Sequence, residues 1–144
     1  MHKRIAAQCN NAAWDLIERD ILDAAECLRL VSLAATASFH WGEIRTPDNV
    51  AHADLLLAWA LARTGAGPAA VCAATRVFNY FAARTSGGAD MAFPHAAMAV
   101  ACHCVGDPNG HRRHYLEAER LGRLLPPAGA KHFEAAFRTV ARPS

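Results

Sequence analysis

Apolar residues recur at spacings of three and four along most of the chain, and no stretch shows the strict alternation of a half-buried strand. The pattern from Ala12 to Trp41 predicts one long helix, or two with a break near Asp20 to Asp23. Its second half, "LRLVSLAATASFHW", is apolar almost all round, which predicts a central, buried helix. Thr46 as N-cap, Pro47 at the first helical position and Asp48 in the first turn start a helix that runs to Arg63, with Gly65 as its terminating glycine. Pro68 opens another, to about Arg84, closed by Ser86-Gly87-Gly88. The next runs from Asp90 or Pro94 to Val105, before Gly106, and "DPNG" then reads as a turn. A helix from about Gly110 ends at Leu125, ahead of Pro126-Pro127, and the last spans about Gly129 to Val140. Residues 1–11 read as a poorly ordered N-terminus. The expectation is one all-α domain over residues 1–144, an antiparallel bundle of about six helices joined as hairpins by short loops.

Composition sharpens this. Alanine, leucine and arginine are abundant and β-branched residues sparse, which favours helix on propensity alone. At 144 residues and 53% hydrophobic content the chain can bury a single core, and disorder is excluded. The high apolar fraction also points to surface covered by a second copy. A net charge of +2 without a clustered basic excess argues against nucleic acid as a partner. No apolar run reaches a membrane span, and the first residues lack the apolar core of a signal peptide, so a cytoplasmic location is expected. The five cysteines (Cys9, Cys27, Cys72, Cys102, Cys104) are odd in number and follow no framework spacing. They read as reduced, small core residues.

A repeat is visible at an offset of roughly forty residues. "HADLLLAWALARTGAG" around His52 matches "PHAAMAVACHCVGDPNG" around His95: each is an Ala-rich helix ending in a glycine turn and followed by a second helix. With small residues such as Ala58 and Ala70 at the helix crossings, the region from about Val50 to Pro127 resembles the helical hairpins of tetratricopeptide-repeat proteins. Asp54 stands where that repeat carries its tryptophan, and Ala82 where it carries its terminal proline. The resemblance implies a hairpin architecture and a binding role.

Candidate chemistry centres on histidine. Met91, His95, Met98, Cys102 and Val105 share one helical stripe, whereas Cys104 lies about 160° from Cys102. "CHC" is therefore no chelating pair, and no Cys-x-x-Cys is present. His111 and His114, three residues apart, face the end of the preceding helix across "DPNG". They form a possible cluster with His103 and Cys102. The competing reading is that these imidazoles hydrogen-bond helix-end carbonyls near Val105. The stripe of Arg112, Arg113, Arg120 and Arg123 reads as a solvated face.

A second constellation follows from up-and-down topology, which places His40, His52, His95 and His132 at one end of the bundle, with Asp48, Asp54, Asp90, Glu43 and Glu134 nearby. His52 and His95 read as inward-pointing, and Trp41 as a pocket-mouth residue. No nucleophile elbow, phosphate loop or dinucleotide fingerprint is present. Two functions follow as expectations. The first is a non-enzymatic, self-associating binding module for a protein or small molecule. The second is a metal-binding protein or small metal-dependent enzyme, using a divalent ion such as zinc held by His52 and His95 with His40 or His132.

Overall fold

The computed structural model describes residues 1–85 and 87–144, and among these every regular element is helical. Seven α-helices follow one another: α1 (His2–Ile17), α2 (Ala24–Ile44), α3 (Pro47–Arg63), α4 (Gly67–Ala82), α5 (Ala92–Cys104), α6 (Pro108–Gly122) and α7 (Pro127–Phe137). A short 3-10 turn over Ala89–Met91 precedes α5. The all-α bundle expected from the pattern is what forms. Ser86, first residue of the predicted Ser-Gly-Gly stop, lies outside the described residues.

The break in the first helical stretch falls where two acidic residues can cap a new helix. The Asp23 carboxylate accepts from the Glu26 backbone N–H at 2.8 Å, and the Asp23 N–H donates to the Glu26 carboxylate at 3.0 Å. This reciprocal box satisfies two donors that a helix start leaves orphaned. The segment expected to be poorly ordered, residues 1–11, belongs to α1 from His2 onward, and its Ala6 is fully buried. "DPNG" is likewise part of a helix: Asp107 is the N-cap, accepting from the Gly110 N–H at 3.0 Å, and Pro108 opens α6.

The closest partners are successive helices, α1 with α2, α3 with α4 and α5 with α6. These three hairpins stack so that α1, α3 and α5 touch side by side, and α7 continues the row against α5. Their first helices begin at residues 2, 47 and 92, a spacing of 45. Trp14 and Trp59 hold the same position in α1 and α3, and their rings meet edge to face at 5.6 Å. Around them Ile17, Leu30, Leu56 and Val77 are fully buried, each contributing about 1.5–3 kcal/mol of apolar transfer free energy.

The central helix is not the one expected. On α2 only Leu30, Ala34 and Ala37 are buried, while Leu28 and Phe39 remain 70% and 61% exposed. The buried positions fall instead on α3 and α5, where Ala96, Ala97, Ala99 and Ala101 are all at zero exposure. Alanine on every side lets backbones approach from every side, whereas the bulk of Leu28 and Phe39 suits the outer face of an outer helix. Close approach recurs at Gly122, where an added Cβ would lie 2.3 Å from the Phe133 ring.

Candidate functional site

A cleft of about 860 Å³ opens along the row of inner helices. It is lined by α1, by the first half of α3, by the end of α4 with the turn after it, by the beginning of α5, and by His132 in the middle of α7. That volume is within the range of small-molecule sites. Its floor is aromatic and apolar: Trp14 and Leu55 are buried, and the Phe93 ring stands 6.0 Å from Trp14. The Phe133 ring packs behind Phe93 edge-on at 5.1 Å and fixes it.

The rim is polar, and most of its charged side chains are acidic. Asp15 and Glu18 come from α1, Asp48 from the first turn of α3, and Asp90 from the 3-10 turn. Against these four carboxylates the lining holds a single guanidinium, Arg84. The Tyr80 hydroxyl donates to Asp48 at 2.5 Å, and the Arg84 guanidinium sits 3.8 Å above the Tyr80 ring. The adjacent carboxylate, more than any burial, holds the phenol proton and pushes the Tyr80 pKa above the usual tyrosine range. Asp15 and Asp90 have no hydrogen-bond or ion-pair partner among the described residues.

Two of the four histidines expected at this end reach the cleft. His132 lies with Nδ1 3.4 Å from a Glu18 carboxylate oxygen, its ring edge-on to Trp14 at 4.9 Å. His52 does not point inward as expected but is exposed on the rim. Its Nδ1 is 2.7 Å from the Asp48 carbonyl one turn back. A carbonyl only accepts, so the proton sits on Nδ1 and the Nε2 lone pair of the neutral ring is free.

The other two lie elsewhere. His95 turns toward α6, its Nδ1 3.0 Å from that of His114, with Phe78 edge-on to both rings. His40 pairs with His2 at 2.6 Å between the Nδ1 atoms. Among the described residues no three His, Cys, Asp or Glu side chains are arranged to hold a metal ion. Asp54, placed near the site by topology, is buried and paired with Arg76 at 3.0 Å. Trp41 is half-buried against the core and does not line the cleft.

The cluster drawn from His103, His111, His114 and Cys102 separates. His103 and His111 do meet, with ring centroids 4.6 Å apart, while His114 belongs to His95. The His111 Nε2 is 2.7 Å from the Ala141 carbonyl, so it serves the chain after α7 and not the end of α5. That helix end closes on its own backbone, with Asp107 N–H donating to Cys102 O across Gly106 at φ 74°. Burial pushes the Cys102 thiol pKa up, the reverse of an activated nucleophile. Both neighbours of the arginine stripe that carry acid are used locally: Arg120 bonds Glu117 and Arg123 approaches Glu119.

Trp14, Glu18, Tyr80, Phe93 and Arg84 are cleft residues that pattern reasoning passed over. Of the cleft residues, Asp48, Asp90, His52 and His132 were assigned to one bundle end by topology beforehand. No helix is long and apolar enough to cross a membrane among the described residues. Comparison of the chain with protein-family models, with curated proteins and with solved structures found no match to any of them.

Proposed function

We propose that this protein is a small binding module and that its ligand site is the cleft along the inner helices. One observation carries the reading: an aromatic floor of Trp14 and Phe93 with polar groups converging on the rim, in a space of about 860 Å³. Apolar walls supply affinity and the few rim groups supply orientation. The stacking of successive hairpins supports a tetratricopeptide-like reading of the array, since stacked repeats create extended concave binding surfaces. The test is a small-molecule screen read by backbone and side-chain amide and indole shifts. Compounds that bind should move Trp14, Phe93 and His132 together, and Asn11→Trp, an exposed rim position, should block them. Ligands that move none of these residues, or that bind the Asn11→Trp variant unchanged, would overturn the proposal.

A second reading, self-association, is favoured by the outer face of α2. Leu28, Ser32, Ala35 and Phe39 lie on one stripe of that helix and are all exposed. A second copy of the chain covering this stripe is the occupant it suits. Sedimentation equilibrium decides it: the wild type should dimerise and Leu28→Glu/Phe39→Glu should not. A wild-type monomer at all concentrations refutes it.

A further inference from the structure

We infer that the cleft selects an organic cation with a flat apolar body, such as an arylalkylamine; this rests on the reading of the cleft as the ligand site. The first ground is charge segregation. The chain carries 15 Lys and Arg against 13 Asp and Glu, yet among the described residues the cleft takes four carboxylates and one of those cations. An anionic cleft in a net cationic protein focuses field on its mouth and repels anions.

The second ground is that the cleft already holds a cation in the manner proposed. The Arg84 guanidinium lies over the Tyr80 ring, and the Tyr80 hydroxyl bonds the Asp48 carboxylate. This triad places a positive charge on an aromatic face whose far edge is anchored to an acid. The other half of the cleft has similar ingredients: His132 serves Glu18 there, and two further acids have no cation of their own among the described residues. Phe93, Trp14 and the half-exposed His132 ring provide aromatic surface, and Asp15 and Asp90 line the same cleft without partners among the described residues. A ligand ammonium group beside Asp15 and Asp90, with its ring on Phe93 and Trp14, would complete that half. Neutral and anionic ligands of the same shape would find the apolar floor but not the charge partner.

The experiment uses three probes with the same phenylethyl body on the intact protein: 2-phenylethylamine, 2-phenylethanol and 3-phenylpropionate. Affinities are measured by calorimetry, and sites are located by amide shifts. The amine should bind about tenfold more tightly than the alcohol, given two or more partly exposed charge pairs, and the carboxylate should bind weakest. Added salt should weaken the amine alone. Asp90→Asn, at an exposed position, should cost the amine about two- to fivefold and leave the alcohol unchanged. Arg84→Gln should do the opposite and tighten the amine, because it removes the cleft's own competing cation. Opposite signs from two rim variants cannot come from general loosening of the fold. If the alcohol binds in the cleft as tightly as the amine, the cation inference fails and the cleft reading survives. If no probe moves a cleft residue, both fall together.

Discussion

The imidazole pair between α5 and α6 makes the stability of this protein depend on pH in a way the sequence composition would not suggest. His114 is 8% exposed, and its Nδ1 faces that of His95 at 3.0 Å. One ring must donate and the other accept, so the accepting ring is neutral, and burial disfavours a charge on the donor as well. Burial first, then His95 and Arg113 beside it, depress the His114 pKa from 6.5 to about 4. Burial also depresses His95, with Glu117 opposing and Arg120 and Arg113 assisting. As pH falls below about 6.5 the unfolded chain takes up its proton first, and the folded protein follows only near 4. Stability is therefore lost across that window and is level above it. Undiluted, the gap corresponds to about 3 kcal/mol; the partly exposed His95 and the solvated Arg113 screen it to about 1–2 kcal/mol. His114→Gln keeps a hydrogen-bonding partner for His95 and removes the titration. At pH 7 it should be less stable than wild type by about 0.5–1.5 kcal/mol. Urea unfolding followed by circular dichroism from pH 7 to 4.5 should show the wild type losing about 1–2 kcal/mol more than the variant, so that the difference closes or reverses. Both proteins share the carboxylate titrations, which cancel in the comparison. Parallel pH curves would refute the argument.

Three further outcomes test how the fold is held. Gly122→Ala gains helix propensity, yet it drives a methyl into the buried Phe133 ring. It should destabilise by about 1–3 kcal/mol in a thermal or urea melt, and a stabilised variant would show that α6 and α7 are farther apart. Asp23→Ala removes the capping box of α2 and should cost about 0.5–2 kcal/mol, with amide exchange rising at Glu26 and its neighbours before anywhere else. The Arg63 guanidinium donates to the carbonyls of Ile17 at 2.7 Å and Arg19 at 2.9 Å, tying the end of α1 to α3. Arg63→Met should cost about 1–3 kcal/mol and loosen the C-terminal turn of α1, and Arg63→Lys should restore only part of it.

Helix identity was legible wherever a local signal existed. Pro47 after Thr46, Pro68 after Gly65, and the glycine at residue 106 mark boundaries within one or two residues of those observed. Asp23 and Glu26 form a capping box that also explains the break near Asp20 to Asp23, and Asp107-Pro108 is a helix start more than a turn. Less was legible about burial. The apolar run in α2 and the alanine run in α5 look equally suited to a core, and only packing shows that small residues occupy the centre and large ones the outer face.

The linear order of residues thus determined an all-helical chain, its hairpin turns and the meeting of Asp48, Asp90, His52 and His132 at one end, because capping, helical period and short loops are local effects. Tertiary structure decided which rings share a neighbour. A helix rotation of one residue, about 100°, separates a histidine that faces the cleft from one that faces the next helix. That angle is set by how alanines interlock across helices, so it sends His95 to His114, sets Trp14 of α1 against Trp59 of α3, and brings Asp48 of α3, Tyr80 of α4 and Arg84 of the following turn onto one rim.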